Sequence, residues 1–254
     1  MSDADLIETA RRALGCLDLT NLNDDCTEDD VHGLAARGTT RHGTVAALCV
    51  WPRFVTLARA AASPDVKIAT VVAFPSGDAT DEEAIDETEA AIRAGADEID
   101  VVIPYRALME GNDAAVISRV ERVKRAAGLA PVKAILETGM LETEDVSRRA
   151  AELALEGGAD FLKTSTGKVP VNATLRAAET LLTAIKASGR TVGFKAAGGI
   201  RTAEDAAAYL GLADEIMGEG WAGPATFRFG ASGLLDALLA EIEGSEAASS
   251  DAAY

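Results

Sequence analysis

Apolar residues alternate along this chain between two rhythms. Short apolar runs alternate with amphipathic stretches of about ten to fifteen residues, the pattern of repeated βα units. Eight units are predicted. Their strands are Leu14–Leu19, Val45–Val50, Lys67–Ala73, Glu98–Ile103, Val132–Glu137, Ala159–Thr164, Thr191–Ala196 and the short Glu215–Met217. The helices open on capping signals. Thr27, Thr80, Thr143 and Thr202 each precede acids suited to a first turn, and Pro52 suits the first helical position. Other helices are expected over 113–126, from near Asn172 and from about Ser232, the last ending at Gly244. Three helix-to-strand junctions share a theme: Ala94-Gly95-Ala96-Asp97, Gly157-Gly158-Ala159-Asp160 and, more loosely, Gly211-Leu212-Ala213-Asp214. The pattern predicts an α/β fold, a single (β/α)8 TIM barrel over residues 1–244, with a flexible tail over 245–254.

Length agrees, since 254 residues is the usual size of one such barrel. The net charge of −17 argues against nucleic-acid or anionic-membrane partners, both of which want a basic stripe. No run approaches the roughly 20 apolar residues of a membrane span, and the N-terminus is acidic, so the expected location is the cytoplasm. Seven lysines leave 17 of the 24 basic residues as arginine, and this lysine-poor, acidic surface would suit a high-salt cytoplasm. Cys16, Cys26 and Cys49 are odd in number and lack paired metal-ligand spacing, which predicts free thiols. Monomer and homodimer are both compatible with the sequence.

In a barrel of this kind the chemistry comes from the C-terminal ends of the strands. The polar residues there are Asp18, Thr20, Cys49, Asp100, Lys133, the run Lys163–Lys168, and Lys195. The two histidines, His32 and His42, fall away from those ends, so no metal is predicted, and no cofactor. Amine chemistry remains. A lysine attacks a carbonyl as the free amine, so its pKa must fall from about 10.4 toward 7, a shift of about 4–5 kcal/mol. A like charge roughly 6 Å away at an effective dielectric of about 20 supplies about 2.8 kcal/mol, and desolvation can supply the rest. Lys195 is placed to act so on Lys163. The alternative is structural: both lysines pair with Asp18 or Asp100 and simply hold the mouth together. Gly198-Gly199, Ser232-Gly233 at the start of the last helix, and Gly167-Lys168 together suggest a phosphate cradle.

Four stretches carry a specific resemblance: Phe-Leu-Lys-Thr-Ser-Thr-Gly-Lys at 161–168, Thr-Val-Gly-Phe-Lys at 191–195, Glu-Ile-Asp-Val-Val-Ile-Pro-Tyr at 98–105 and Leu-Asp-Leu-Thr at 17–20. Together, in their order along the chain, they resemble the 2-deoxyribose-5-phosphate aldolase family. The resemblance implies a metal-free class I aldolase that interconverts a phosphosugar with small aldehydes. It implies that Lys163 forms a Schiff base, that Lys195 lowers its pKa, and that Asp100 relays protons with Lys195 and water. Asp18 and Thr20 would hold the sugar hydroxyls, Lys133 and Thr166 would also bind substrate, and Lys168 with Gly167, Gly198, Gly199, Ser232 and Gly233 would form the phosphate end. Tyr254 corresponds to a terminal tyrosine that assists proton transfer. The chain departs from the family pattern at Ala196, Gly233 and Trp51, where proline, serine and tyrosine are common. The other readings are a transaldolase-like dihydroxyacetone transferase and a non-catalytic phosphosugar-binding barrel.

Overall fold

The computed structural model describes residues 3–251. Eight parallel strands close into a barrel: β1 (Leu17–Asn21), β2 (Ala47–Val50), β3 (Lys67–Val72), β4 (Glu98–Val102), β5 (Val132–Ile135), β6 (Phe161–Lys163), β7 (Gly193–Ala197) and β8 (Phe227–Ala231). Each pairs with its sequence neighbours, and β1 closes the ring against β8. Outside run α1 (Asp3–Gly15), α2 (Glu28–Arg37), α3 (Val55–Ala61), α4 (Asp81–Arg93), α5 (Tyr105–Met109), α6 (Asp113–Ala127), α7 (Glu144–Glu156), α8 (Leu175–Ser188), α9 (Ala203–Met217) and α10 (Leu234–Asp251). The threonine caps are formed as the sequence suggests. Thr27, Thr80 and Thr202 build reciprocal capping boxes with Asp30, Glu83 and Asp205, and Thr143 accepts from the Val146 N–H. No helix among the described residues is long and apolar enough to cross a membrane.

The strands alternate in a way that determines everything at the site. Successive residues of a strand point to opposite faces. On one face, Leu17, Leu19, Leu48, Val50, Ile68, Ile99, Val101, Leu162, Phe194, Phe227 and Phe229 join the buried cluster shared with the helices. Each such side chain contributes roughly 1.5–3 kcal/mol of burial. The intervening residues fill the lumen, and there the character divides. Ala47, Cys49, Ala69 and Val71, from β2 and β3, form a separate small apolar cluster with Leu22. The remaining strands send in Asp18, Glu98, Asp100, Lys133, Lys163, Lys195 and Arg228, all buried.

Two junctions of the shared glycine theme are built alike. Asp97 Oδ2 accepts from the Ile68 N–H at 2.8 Å, while the Asp97 N–H donates to the Ile68 carbonyl at 2.8 Å. Asp160 Oδ2 likewise accepts from the Val132 N–H at 2.7 Å, and the Asp160 N–H donates to the Val132 carbonyl at 2.9 Å. Each aspartate thereby pins its strand to the one before it.

Four sequence expectations are corrected. Glu215–Met217 is not the eighth strand but the last turn of α9, and Gly211-Leu212-Ala213-Asp214 lies inside that helix. The true eighth strand is Phe227–Ala231, whose Phe-Arg-Phe-Gly order has the period of two. The first unit is preceded by α1, with Ala10, Ala13 and Leu14 on its buried face, so β1 begins at Leu17 rather than Leu14. Finally, α10 passes through Gly244 to Asp251, where the sequence suggests a stop at Gly244. Within a helix, glycine is unfavourable by roughly 1 kcal/mol, which is too little to end one alone.

Candidate active site

The strand ends bring most of the predicted site residues to one cleft of about 480 Å³ at the C-terminal face. Lys163 is at its floor. Thr20, Thr166, Gly167, Lys168, Gly198, Gly199 and Ser232 line its walls. A larger groove of about 1330 Å³ lies on the outer wall between α7, α8 and α9, but it is lined by surface glutamates, arginines and alanines and is remote from the buried charges. The smaller cleft has the chemistry.

Lys163 ends β6 and is 3% exposed. Its Nζ donates to Asp100 Oδ2 at 2.8 Å. The same oxygen accepts from Lys195 Nζ at 2.8 Å, so one carboxylate oxygen bridges the two amines. Register places the lysines side by side, Lys163 opposite Lys195 on neighbouring strands. Lys195 reaches a second carboxylate, Asp18 Oδ2, at 2.5 Å. It crosses Gly230 to do so: a Cβ there would sit 3.0 Å from Lys195 Cε and 3.0 Å from the Ala197 Cβ. Glycine at 230 makes the room.

The two amines are driven apart in acidity. Burial pushes the Lys163 pKa down; Asp100 opposes this, and the Lys195 cation reinforces it. Lys195 suffers the same burial, but Asp100 and Asp18 outweigh it and hold that ammonium well above its ordinary value. Asp18 and Asp100 resist their own burial because Lys195, Arg228 and Lys133 surround the first and Lys133, Lys163 and Lys195 the second, and both stay ionised below the usual carboxylate range. Desolvation is therefore the leading cause of the Lys163 shift. The neighbouring Lys195 cation, expected to carry most of the shift, is a smaller cause, since Asp100 bridges the two amines.

Two residues expected to hold substrate are instead under the floor. Asp18 has both oxygens engaged, by Lys195 and by Arg228 Nη1 at 2.6 Å. Lys133 is fully buried, with its Nζ 2.7 Å from Asp100 Oδ1 and 2.7 Å from Glu98 Oε2. Neither lines the cleft. Gly233 precedes α10 and is also outside the lining. Tyr254 lies outside the described residues. Cys49 is buried beside the amines, with its thiol pushed up by burial.

Three participants were not singled out from the sequence. Arg228 and Glu98 form a two-pronged pair, Nη2 to Oε1 at 2.7 Å and Nη1 to Oε2 at 2.9 Å. Glu137, left-handed at φ 54°, accepts from Thr166 N at 3.1 Å and from Thr166 Oγ1 at 2.5 Å, clamping the 164–168 loop. Their signal is a charged residue an even number of positions from another inward residue: Glu98 two before Asp100, Arg228 two before Gly230, Glu137 four beyond Lys133.

At the other end of the cleft, Gly198 and Gly199 both take positive φ, 81° and 85°, turning the chain back over the opening. Lys168 Nζ is 3.1 Å from Asp24 Oδ1 and 5.9 Å from the centre of the Trp51 ring. Trp51 in turn donates from Nε1 to the Asn23 carbonyl at 2.9 Å. A cationic hook and a glycine turn thus face the cleft about the amine.

Known proteins match this arrangement. Residues 12–238 match the model of the DeoC/LacD family of aldolases. A deoxyribose-phosphate aldolase of Agrobacterium fabrum is 54% identical over 251 residues, covering 97% of this chain and 96% of that one. Among solved structures, an apo protein of Toxoplasma gondii ME49, provisionally named a deoxyribose-phosphate aldolase, superposes with a TM-score of 0.87 at 28% identity, covering 95% of this chain and 98% of that one. A tetrameric deoxyribose phosphate aldolase of Aeropyrum pernix gives a TM-score of 0.73 at 26% identity, covering 94% and 98%. With a buried, acidified lysine at the mouth of a parallel barrel and a family match over most of its length, the chain belongs to the DeoC/LacD family of aldolases.

Proposed function

We propose that this aldolase cleaves 2-deoxy-D-ribose 5-phosphate, reversibly, to acetaldehyde and D-glyceraldehyde 3-phosphate, with Lys163 as the Schiff-base residue. The observation that carries the reading is the unequal pair: of two adjacent buried lysines, the one at the cleft floor is acidified and the one beneath is held as a cation.

The free Lys163 amine adds to the C1 aldehyde, and loss of water leaves an iminium. A proton then leaves the C3 hydroxyl, the C2–C3 bond breaks, and its electron pair moves into the iminium to form an enamine. The three-carbon phosphoaldehyde departs. Protonation of the enamine carbon and addition of water to the resulting iminium release acetaldehyde and regenerate the amine. Asp100 Oδ2, bonded to both amines, joins the reacting nitrogen to Lys195, so protons gained and lost at Lys163 are balanced against a fixed cation. Water in the cleft takes the C3 proton as it hands one of its own to Asp100, whose carboxylate Lys133 and Lys195 hold in place, and the same relay returns a proton to the enamine carbon. Thr20 and Thr166 present hydroxyls to the sugar, while Lys168 and the Gly198-Gly199 turn take the phosphate, with Ser232 beside α10.

Borohydride reduction with the substrate present, followed by peptide mass mapping, tests this. One reduced adduct on Lys163 is expected. An adduct on Lys195 or Lys168 would reverse the roles, and free protein with no adduct would end the Schiff-base reading.

A further inference from the structure

Beneath the cleft the charges form a closed circuit. Arg228 bonds Asp18 at 2.6 Å, Asp18 bonds Lys195 at 2.5 Å, and Lys195 bonds Asp100 at 2.8 Å. Asp100 bonds Lys133 at 2.7 Å, Lys133 bonds Glu98 at 2.7 Å, and Glu98 returns to Arg228 at 2.7 Å. Sign alternates at every step, and three cations cancel three carboxylates. Lys163 hangs on this ring through Asp100 alone.

We propose that Arg228 and Glu98, which touch neither the cleft nor Lys163, are positioning residues for the aldol chemistry: by closing the ring they orient and neutralise Asp18 and Asp100, leaving Lys163 the one amine of the cluster with no carboxylate of its own. The proposal rests on the Schiff-base reading of Lys163.

In a buried ring the balance of charges decides where a further proton can sit. Buried charges require partners, and a ring with equal numbers of each sign has no spare anion to hold a fourth cation. Were Arg228 absent, Asp18 would lose its second partner and the ring would carry one excess negative charge, which favours a proton on Lys163. Were Glu98 absent, the excess would be positive and would disfavour it. The other groups facing Lys163 leave this logic in place. They are Asp100 and Lys195 of the ring, the protonated Cys49 thiol on β2, and Glu137 beyond β5, whose oxygens are bonded to Thr166. Arg228 is additionally anchored by Nε to the Pro224 carbonyl at 2.6 Å, and its Cζ lies 5.7 Å from the centre of the Phe161 ring, so the guanidinium is fixed on both sides.

The test compares Arg228→Gln, Glu98→Gln, the double variant and the charge-keeping Arg228→Lys. The readout is the midpoint of the acid limb of kcat/KM, with borohydride trapping at Lys163 followed over the same pH range. Arg228→Gln should move the midpoint up by about one pH unit, Glu98→Gln should move it down by a similar amount, and the double variant should return toward the unsubstituted protein. Shifts in the same direction, or none, overturn the proposal, because a merely structural role lowers stability without a sign. Should the glutamine variants fail to fold, Arg228→Lys decides: an unchanged midpoint supports the proposal, and a displacement of a full unit with the charge retained refutes it. Trapping in the unsubstituted protein separates the two levels, since no adduct on Lys163 there defeats the functional reading itself.

Discussion

The lumen of this barrel has two unlike sectors. Across β4–β8 and β1 it is packed with paired ions, whereas across β2 and β3 it holds only Ala47, Cys49, Ala69 and Val71. The contrast explains how an amine can lose its proton in a cluster so rich in carboxylate. Ions facing water on one side, or each other on all sides, would be solvated and ordinary. Here the ionic sector is satisfied within itself, and the apolar sector offers neither hydration nor a counter-ion. Lys163 rises from within the ionic sector, on β6, yet its neighbours in the lumen include the Cys49 thiol of the apolar sector as well as Asp100 and Lys195. Desolvation there falls on the one amine that the ring does not require.

The largest effect is expected at that amine. Lys163→Met should lower kcat/KM by about 10⁴-fold or more and abolish borohydride trapping. It should change the thermal midpoint little, because Asp100 retains Lys133 and Lys195. Activity falling without the loss of fold is the outcome to look for in paired kinetic and calorimetric runs.

Lys195→Met attacks the ring instead. Removing one partner of a buried pair typically destabilises by about 3–5 kcal/mol, and urea melts should show it. Lys163 would then become the cation that Asp100 needs, so its amine should titrate later and the acid limb should rise in pH.

The ionic sector also predicts how stability depends on pH. Asp18 and Asp100 have folded pKa values below their unfolded values, so their contribution is complete above the unfolded value of about 4 and is lost as pH falls through the depressed folded ones. Lys195 is raised, so its contribution is complete below about 10 and is lost only at more alkaline pH. Lys163 is lowered, so it is held better as the neutral amine and stability grows as pH rises through its folded value toward about 10. Thermal melts should show no loss from about pH 5 upward and a gentle gain on the alkaline side. A steep decline between pH 7 and 5 would count against an ionised ring.

Gly230→Ala sharpens the comparison by displacing Lys195 with no change of charge. The added methyl meets Lys195 Cε and the Ala197 Cβ, and kcat should drop by about tenfold through misplacement while trapping at Lys163 persists. Cys49→Ala, on the apolar side, should have the smallest effect. We expect a stability change below about 1.5 kcal/mol and an unmoved acid limb. A displaced limb would mean that the apolar sector contributes a charge after all.

Much of this arrangement was legible in the residue order, and the exceptions have a common cause. Lys163, Lys195 and Asp100 are readable because each interrupts or ends an apolar run, where a charge has few other reasons to be. The threonine caps were readable because capping is local chemistry. Arg228 and Glu98 do not stand out because a barrel lumen is expected to be apolar: Phe-Arg-Phe-Gly breaks the strand pattern with a charge, while Glu-Ile-Met at the end of α9 imitates a short strand. Asp18 and Lys133 read from the sequence as substrate contacts, whereas in the barrel both are engaged by buried partners. Depth within a barrel depends on strand tilt and register, which residue order does not specify.

The aspartate pins at the closed end of the barrel bear on this question of depth. Asp97 is three residues before Asp100, and Asp160 is three residues before Lys163; each is fastened to the previous strand by its own carboxylate and N–H. A slip of one residue in either strand would turn every inward side chain outward. The height of the bridging carboxylate and of the reactive nitrogen is thus gauged from below, by two short rulers of equal length, and the loops at the open end are free to vary around a datum they do not set.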